Sequence, residues 1–281
     1  MCEFCIQHGE GKKWYLEAGN YSEDLLSDIR RRKFIDEFFR EEEKFHTFRQ
    51  KLEELDEKPW FVKRFARWRL NRFFRKKHHG QVVPLEDIER IFAFTNSIVR
   101  VNCICRHIAT GKEERYCYGV SMGENGGEIA KIISGTNTQL FGKPDSRGLE
   151  ELSPADALSQ LKDHERQGLC HTIWTFITPY IAGICNCDRP DCLAMKATVT
   201  HGQPALYRAE YVAGVDSERC TGCRRCMHVC QFGALSYSAA SRKVYPDVRR
   251  CFGCGICRSV CEAGAISLND RSGIPAVANL W

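Results

Sequence analysis

Residues 220–230 read CTGCRRCMHVC and residues 251–261 read CFGCGICRSVC, so the spacing C-x2-C-x2-C-x3-C occurs twice within 42 residues. Chance does not produce such a pair. Each run is followed by a small-residue turn leading into a short apolar strand, Gln231-Phe-Gly-Ala-Leu after the first and Glu262-Ala-Gly-Ala-Ile after the second. The two stretches are the halves of an internal repeat. Zinc ribbons also use C-x2-C pairs, but a third cysteine at another x2 interval followed by x3 is not a zinc pattern.

The double run resembles the bacterial ferredoxin module with two [4Fe-4S] clusters, over residues 205–270, about a quarter of the chain. Three cysteines at intervals of three wrap one cubane, and the fourth lies on the following helical turn facing away; in that family it ligates the other cluster. The resemblance therefore implies Cys220, Cys223, Cys226 and Cys261 for cluster one, and Cys251, Cys254, Cys257 and Cys230 for cluster two. One departure is visible. The family usually has proline after the fourth cysteine, and Gln231 and Glu262 stand in both places, which implies less rigid loops and shifted potentials with the ligand count unchanged.

Working outward, 281 residues suffice for a well-buried core and about two domains, and 43% hydrophobic with 27% charged residues describe an ordinary globular chain. Seventeen cysteines do not. The start, MCEFCIQHGEGKKW, carries no apolar signal segment, so a cytoplasmic location is expected and disulfides are not. The odd total agrees, because cluster sites consume thiols in fours and leave remainders. No strongly apolar run of about 18 residues appears; the nearest, Leu169 to Cys187, is interrupted by His171, Thr172, Thr175, Thr178, Pro179 and Asn186 and reads as one or two buried strands.

Nine cysteines lie outside the repeat, and six form two groups of matching design: Cys103-Ile-Cys105 with Cys117, and Cys185-Asn-Cys187 with Cys192. A C-x-C in extended backbone puts both thiols on one face, about 6 to 7 Å apart. Ser97-Ile-Val-Arg-Val-Asn reads as a strand leading into the first group and Ile181-Ala-Gly-Ile into the second. If those strands end side by side, the six thiols meet and can hold a third [4Fe-4S] cluster or another metal. Between them, Gly127 to Ser134 closed by Gly135, and a segment opening on Ser153 and Pro154, read as helices. Cys170 alone reads as a small buried hydrophobe. Cys2 and Cys5 with His8 are either half a site or a reactive pair at a terminus.

The front of the chain is helical. From Ser22, a cap before Glu23 and Asp24, one or two helices extend to residue 57, with Phe38, Phe45, Phe48, Leu52 and Leu55 forming an apolar stripe. Residues 58–79 then hold nine Lys or Arg, no acid, and the aromatics Trp60, Phe61, Phe65, Trp68, Phe73 and Phe74. Such a segment suits an acidic partner protein, a solvated face, nucleic acid or an anionic membrane surface. Because basic and aromatic positions mix after Arg69, the membrane reading ranks low; docking to an acidic redox partner ranks first and nucleic acid below a solvated face.

The expected fold class is α+β: a helical region over residues 1–82, an α/β-like domain with the central cysteines over 83–204, and a ferredoxin-like two-cluster domain over 205–281. The expected function is low-potential, one-electron relay in an anaerobic redox system. Two rivals stand beside it: a reductase or other redox enzyme with a catalytic cluster or thiol site in the middle domain, and an iron–sulfur redox sensor binding nucleic acid through the basic helix. Gly123-Glu-Asn-Gly-Gly-Glu lacks the G-x-G-x-x-G spacing, so no dinucleotide site is expected.

Overall fold

The computed structural model describes residues 13–135 and 149–280; Cys2, Cys5 and His8 fall outside these. The fold is α+β. Its centre is a seven-stranded sheet in the order β4-β2-β3-β6-β5-β1-β7, made of β1 (Gly80–Val82), β2 (Ser97–Val101), β3 (Cys117–Ser121), β4 (Glu150–Leu152), β5 (Cys170–Thr175), β6 (Ile181–Cys187) and β7 (Leu206–Tyr207). The β-branched run Ile98, Val99, Val101 forms the expected strand, as does Ile181 to Cys187. All strand pairs are antiparallel except β1 with β7. Helices lie on the sheet, but the strand directions are not those of a parallel α/β sheet, because the short link from β5 to β6 returns the chain at once, without a crossover helix.

Both faces of the sheet are covered. On one, Ile98, Tyr118, Val120, Ile173 and Ile184 pack beneath helices that contribute Ile88, Ile91, Ala157 and Leu161. The latter lie on Leu85–Phe92 and Pro154–Arg166, where Ser153 caps as expected by accepting from the Asp156 N–H. On the other face, Ala182 and Phe176 meet Ile35, Phe39 and Ile129, from α1 (Ile29–Arg40) and the helix Gly127–Ser134. Side chains alternate along a strand, so Ile184 turns to the first face while Cys185 and Cys187 turn to the second.

The front resolves into α1, α2 (Glu42–Asp56) and α3 (Trp60–Lys77), preceded by short 3-10 turns, the last capped by Ser22. The apolar stripe finds its partner within the chain: Leu52 is buried, and Phe48 meets Phe74 of α3 at 6.1 Å between ring centroids.

The C-terminal part is two-fold repetitive. Strand β8 (Tyr211–Val215) pairs with β11 (Ile266–Asp270), β9 (Leu235–Ser238) with β10 (Lys243–Pro246), and each cysteine run ends in a short helix, Arg225–Val229 or Ile256–Ser259. Gly222 and Gly253 occupy the same place in the two runs with φ of 70° and 73°, and a Cβ at either would lie 2.1 Å from a carbonyl oxygen, that of Arg242 or Tyr211. Only glycine serves there.

Candidate metal centres

In the repeat, Cys220, Cys223, Cys226 and Cys261 surround a cavity of about 240 Å³. Cys257 has Cys254, Cys251, Cys230 and, from the first run, Cys226 as neighbours, while Cys226 itself neighbours Cys223, Cys261 and Cys220. Backbone amides aim at the sulfurs in matching fashion: Ala234 N–H donates to Cys230 Sγ and Ala265 N–H to Cys261 Sγ, both at 3.3 Å, while Ala213 and Gly253 donate to Cys251 Sγ at 3.4 Å. Such bonds favour the charged form of a sulfur. The Cys223 thiol is exposed and held below its usual value, first by backbone and side-chain contacts to Arg225. The donor set and the amides suit an anionic cluster.

In the middle sheet, all six central cysteines line one cavity of about 700 Å³. Strand register brings the groups together: Val101 of β2 pairs with Cys117 of β3, and Cys117 with Cys185 of β6. The first C-x-C differs from expectation. Cys103 is extended as expected but Cys105 is not; Cys103 is the N-cap of a short helix, Ile104–Thr110, which contains Cys105, and its sulfur faces the Arg106 amide. Cys192 repeats the device, capping the turn Leu193–Met195 with its sulfur facing the Met195 amide.

The thiols form two rows of neighbours. Cys117 sits between Cys103 and Cys185, and Cys192 between Cys105 and Cys187. Each C-x-C thus contributes one thiol to each row. Among the described residues no group of three His, Cys, Asp or Glu converges as a single metal ion requires, in the repeat or in the middle sheet. Crowding and burial push the thiols up: at Cys185 the contact with Cys117 is the largest single influence and lowers it, but burial and the neighbours Cys187, Cys103 and Cys105 together outweigh this and raise it to about 12. Three of the six thiols are buried and three half-buried, so binding as thiolates would need compensating positive charge, which a metal centre would provide.

One residue locks the two groups. Arg106, from the first group's CICR, is 6% exposed; it donates to Asp188 at 2.7 Å and to Asp191 at 2.8 Å in the second group's CDRPDC, and lies 4.3 Å over the Tyr116 ring. Burial pulls its pKa down, and the Asp188 carboxylate more than offsets this. Asn186, between the cysteines of β6, donates to Tyr116 O at 2.7 Å. Trp174 donates to Thr172, whose hydroxyl lies 3.4 Å from Cys187 Sγ. These neighbours orient the thiols.

Cys170, which by spacing reads as a small buried hydrophobe, is also brought to the site. It is fully buried, pairs in register with Cys187, and its thiol meets that of Cys254 in the repeat. Cys254 and Cys230 pack in the same apolar cluster as Cys105, Cys185, Cys187 and Cys192. Gln231, in the place of the family's proline, clamps this junction: its side chain donates to Gly168 O at 2.7 Å and accepts from the Arg189 amide at 2.9 Å. Glu262, in the other proline place, pairs with Arg225.

Among the described residues no helix is long and apolar enough to cross a membrane. A comparison with curated proteins found no match to the chain. Residues 219–266 match the family described as the 4Fe-4S dicluster domain. That segment is therefore similar to a 4Fe-4S dicluster domain, which supports an iron–sulfur electron-transfer role for the C-terminal part of the chain.

Proposed function

We propose that the protein is a low-potential, one-electron relay of an anaerobic cytoplasmic redox system, in which the dicluster domain is wired to a third metal centre in the middle sheet. The observation that carries this reading is the convergence of Cys103, Cys105, Cys117, Cys185, Cys187 and Cys192 on one cavity, with Cys170 beside both Cys187 and Cys254. Cys220, Cys223, Cys226 and Cys261 would hold one cluster and Cys251, Cys254, Cys257 and Cys230 the other. A [4Fe-4S] cluster supplies reversible one-electron storage when bound. The chain contributes the thiolates, the amides and the Thr172 hydroxyl aimed at sulfur, and apolar walls that exclude water. An acidic carrier is the partner this reading calls for; exposed Cys223, followed by exposed Arg224 and Arg225, supports docking at that end, with an affinity that falls as salt rises.

Iron analysis tests the third centre. Anaerobically purified protein should hold about 12 irons, against about 8 for the dicluster domain alone. Replacing Cys185 and Cys187 by Ser should lower the higher count to the lower one; wild-type protein near 8 overturns the proposal.

One observation favours a second reading, a reductase. The cavity runs past the thiols along Trp174, His78 and Phe38, and its volume lies within the range of small-molecule sites. Under this reading, small aromatic compounds change the electron paramagnetic resonance (EPR) signal of the third centre; under the relay reading they leave it unmoved.

A further inference from the structure

Helix α3 has two apolar faces. Val62, Ala66, Leu70 and Phe74, four apart, turn toward the protein and are half-buried or buried. Phe61, Phe65 and Trp68 span about 60° on the opposite side, at 100° per residue, and are 59%, 58% and 57% exposed. Trp60 at the helix start is 74% exposed. Soluble surfaces rarely carry so large a contiguous aromatic ridge without a partner.

The charges are arranged around that ridge. Arg64 and Arg75 lie on one flank, Arg69 and Lys76 on the other, Arg72 within the ridge and Lys63, Arg67 and Lys77 away from it, and the helix contains no acid. Phe65 and Trp68 stack at 5.9 Å, with the Arg69 and Arg72 guanidiniums 6.0 Å over their rings. The rings are therefore engaged with one another and with guanidiniums, which disfavours stacking by nucleic-acid bases. An acidic protein would satisfy the arginines but leave the outward aromatics without a role. An aromatic ridge at the apex with cations on its flanks is the pattern of a helix lying in a lipid interface, rings at the headgroup–acyl boundary and cations among anionic headgroups.

We propose that α3 docks the protein on an anionic lipid surface, lying in the plane of the bilayer with Phe61, Phe65 and Trp68 inserted. Attachment is at the surface; among the described residues no helix is long and apolar enough to span. Its clusters are then delivered to redox chemistry at the membrane face.

The test uses the full chain, purified anaerobically, sedimented with phosphatidylglycerol or phosphatidylcholine vesicles. Binding to the first and not the second is expected, and each Arg→Gln change among Arg64, Arg69 and Arg72 should weaken it about fivefold. The pair Phe65→Ser and Trp68→Ser should abolish binding while cluster absorbance and helicity stay at wild-type values, since both side chains point to solvent. Absence of binding to phosphatidylglycerol vesicles at low salt overturns the proposal. So does full binding by the aromatic variant, and so does retention of polyglutamate or a single-stranded oligonucleotide in place of the vesicles.

Discussion

Removing the Cys170 thiol should lower the reduction potential of one C-terminal cluster and leave the other unchanged. Cys170 is fully buried and its thiol meets Cys254. Burial raises the Cys170 thiol, and the contact with Cys170 lowers Cys254 below its usual value; the Cys170 S–H faces the His171 carbonyl at 3.7 Å, and turning it onto a charged Cys254 sulfur would make Cys170 the donor and that sulfur the acceptor. A hydrogen bond to a charged acceptor contributes about 1.5 to 3 kcal/mol, and the weak S–H donor sits at or below the lower end, roughly 1 kcal/mol. Reduction adds negative charge at the acceptor, so the bond strengthens on reduction. If half of that energy is differential, the one-electron potential changes by about 20 mV, and by about 40 mV if all of it is. Cys170→Ala should therefore move the potential of the Cys254-containing cluster downward by that amount, while Cys170→Ser, which keeps a donor, should restore much of it. The assay is anaerobic potentiometry followed by EPR, in which the two clusters titrate separately. Equal shifts in both clusters, or identical potentials in wild type, Ala and Ser proteins, would refute the hydrogen-bond argument. The readout does not depend on whether the middle cavity is loaded.

Arg106→Met should disperse the central site, because it leaves the partly exposed Asp188 and Asp191 carboxylates without their shared cation at a cost of about 1.5 to 3 kcal/mol; iron should fall from about 12 to about 8 per chain with the dicluster signals intact. Gln231→Pro, the residue usual in ferredoxins, should keep the cluster loop but remove two hydrogen bonds across the junction, a loss of about 1 to 3 kcal/mol visible as faster proteolysis between the sheet and the repeat. Acid should destabilise the fold through His78 and His79, held down to about 4 and about 3 chiefly by burial. Above pH 7 both are neutral in either state and contribute nothing; below about 6.5 the unfolded chain takes up protons the native one refuses, at about 1.4 kcal/mol per pH unit for each histidine. Urea unfolding of metal-free protein at pH 7.5 and 5.5 checks this, and His79→Leu should reduce the difference.

Ligand spacing made the C-terminal repeat legible, because three cysteines at fixed short intervals and a fourth on the next turn state their geometry within one loop. The six central cysteines were legible as two matching groups, but spacing could not say that β3 lies between β2 and β6 and sets Cys117 opposite Cys185. It also misread Cys105, whose side chain reaches the cavity from a helix N-terminus. A lone buried thiol has no pattern, so Cys170 could be recognised only when the repeat was packed against β5.

The amphipathic helix shows the same division most plainly. Basic and aromatic residues mix after Arg69 because Leu70 and Phe74 belong to the core-facing side, while Phe61, Phe65 and Trp68 belong to the solvent side. One hydrophobic periodicity cannot report two opposed apolar faces. Local chemistry written at short range, the cluster repeat and the residue types of each segment, was determined by the sequence itself. The meeting of the two thiol groups, the Cys170 junction and the outward direction of the aromatic ridge were decided only by tertiary structure, because each depends on which surfaces distant segments bury against one another.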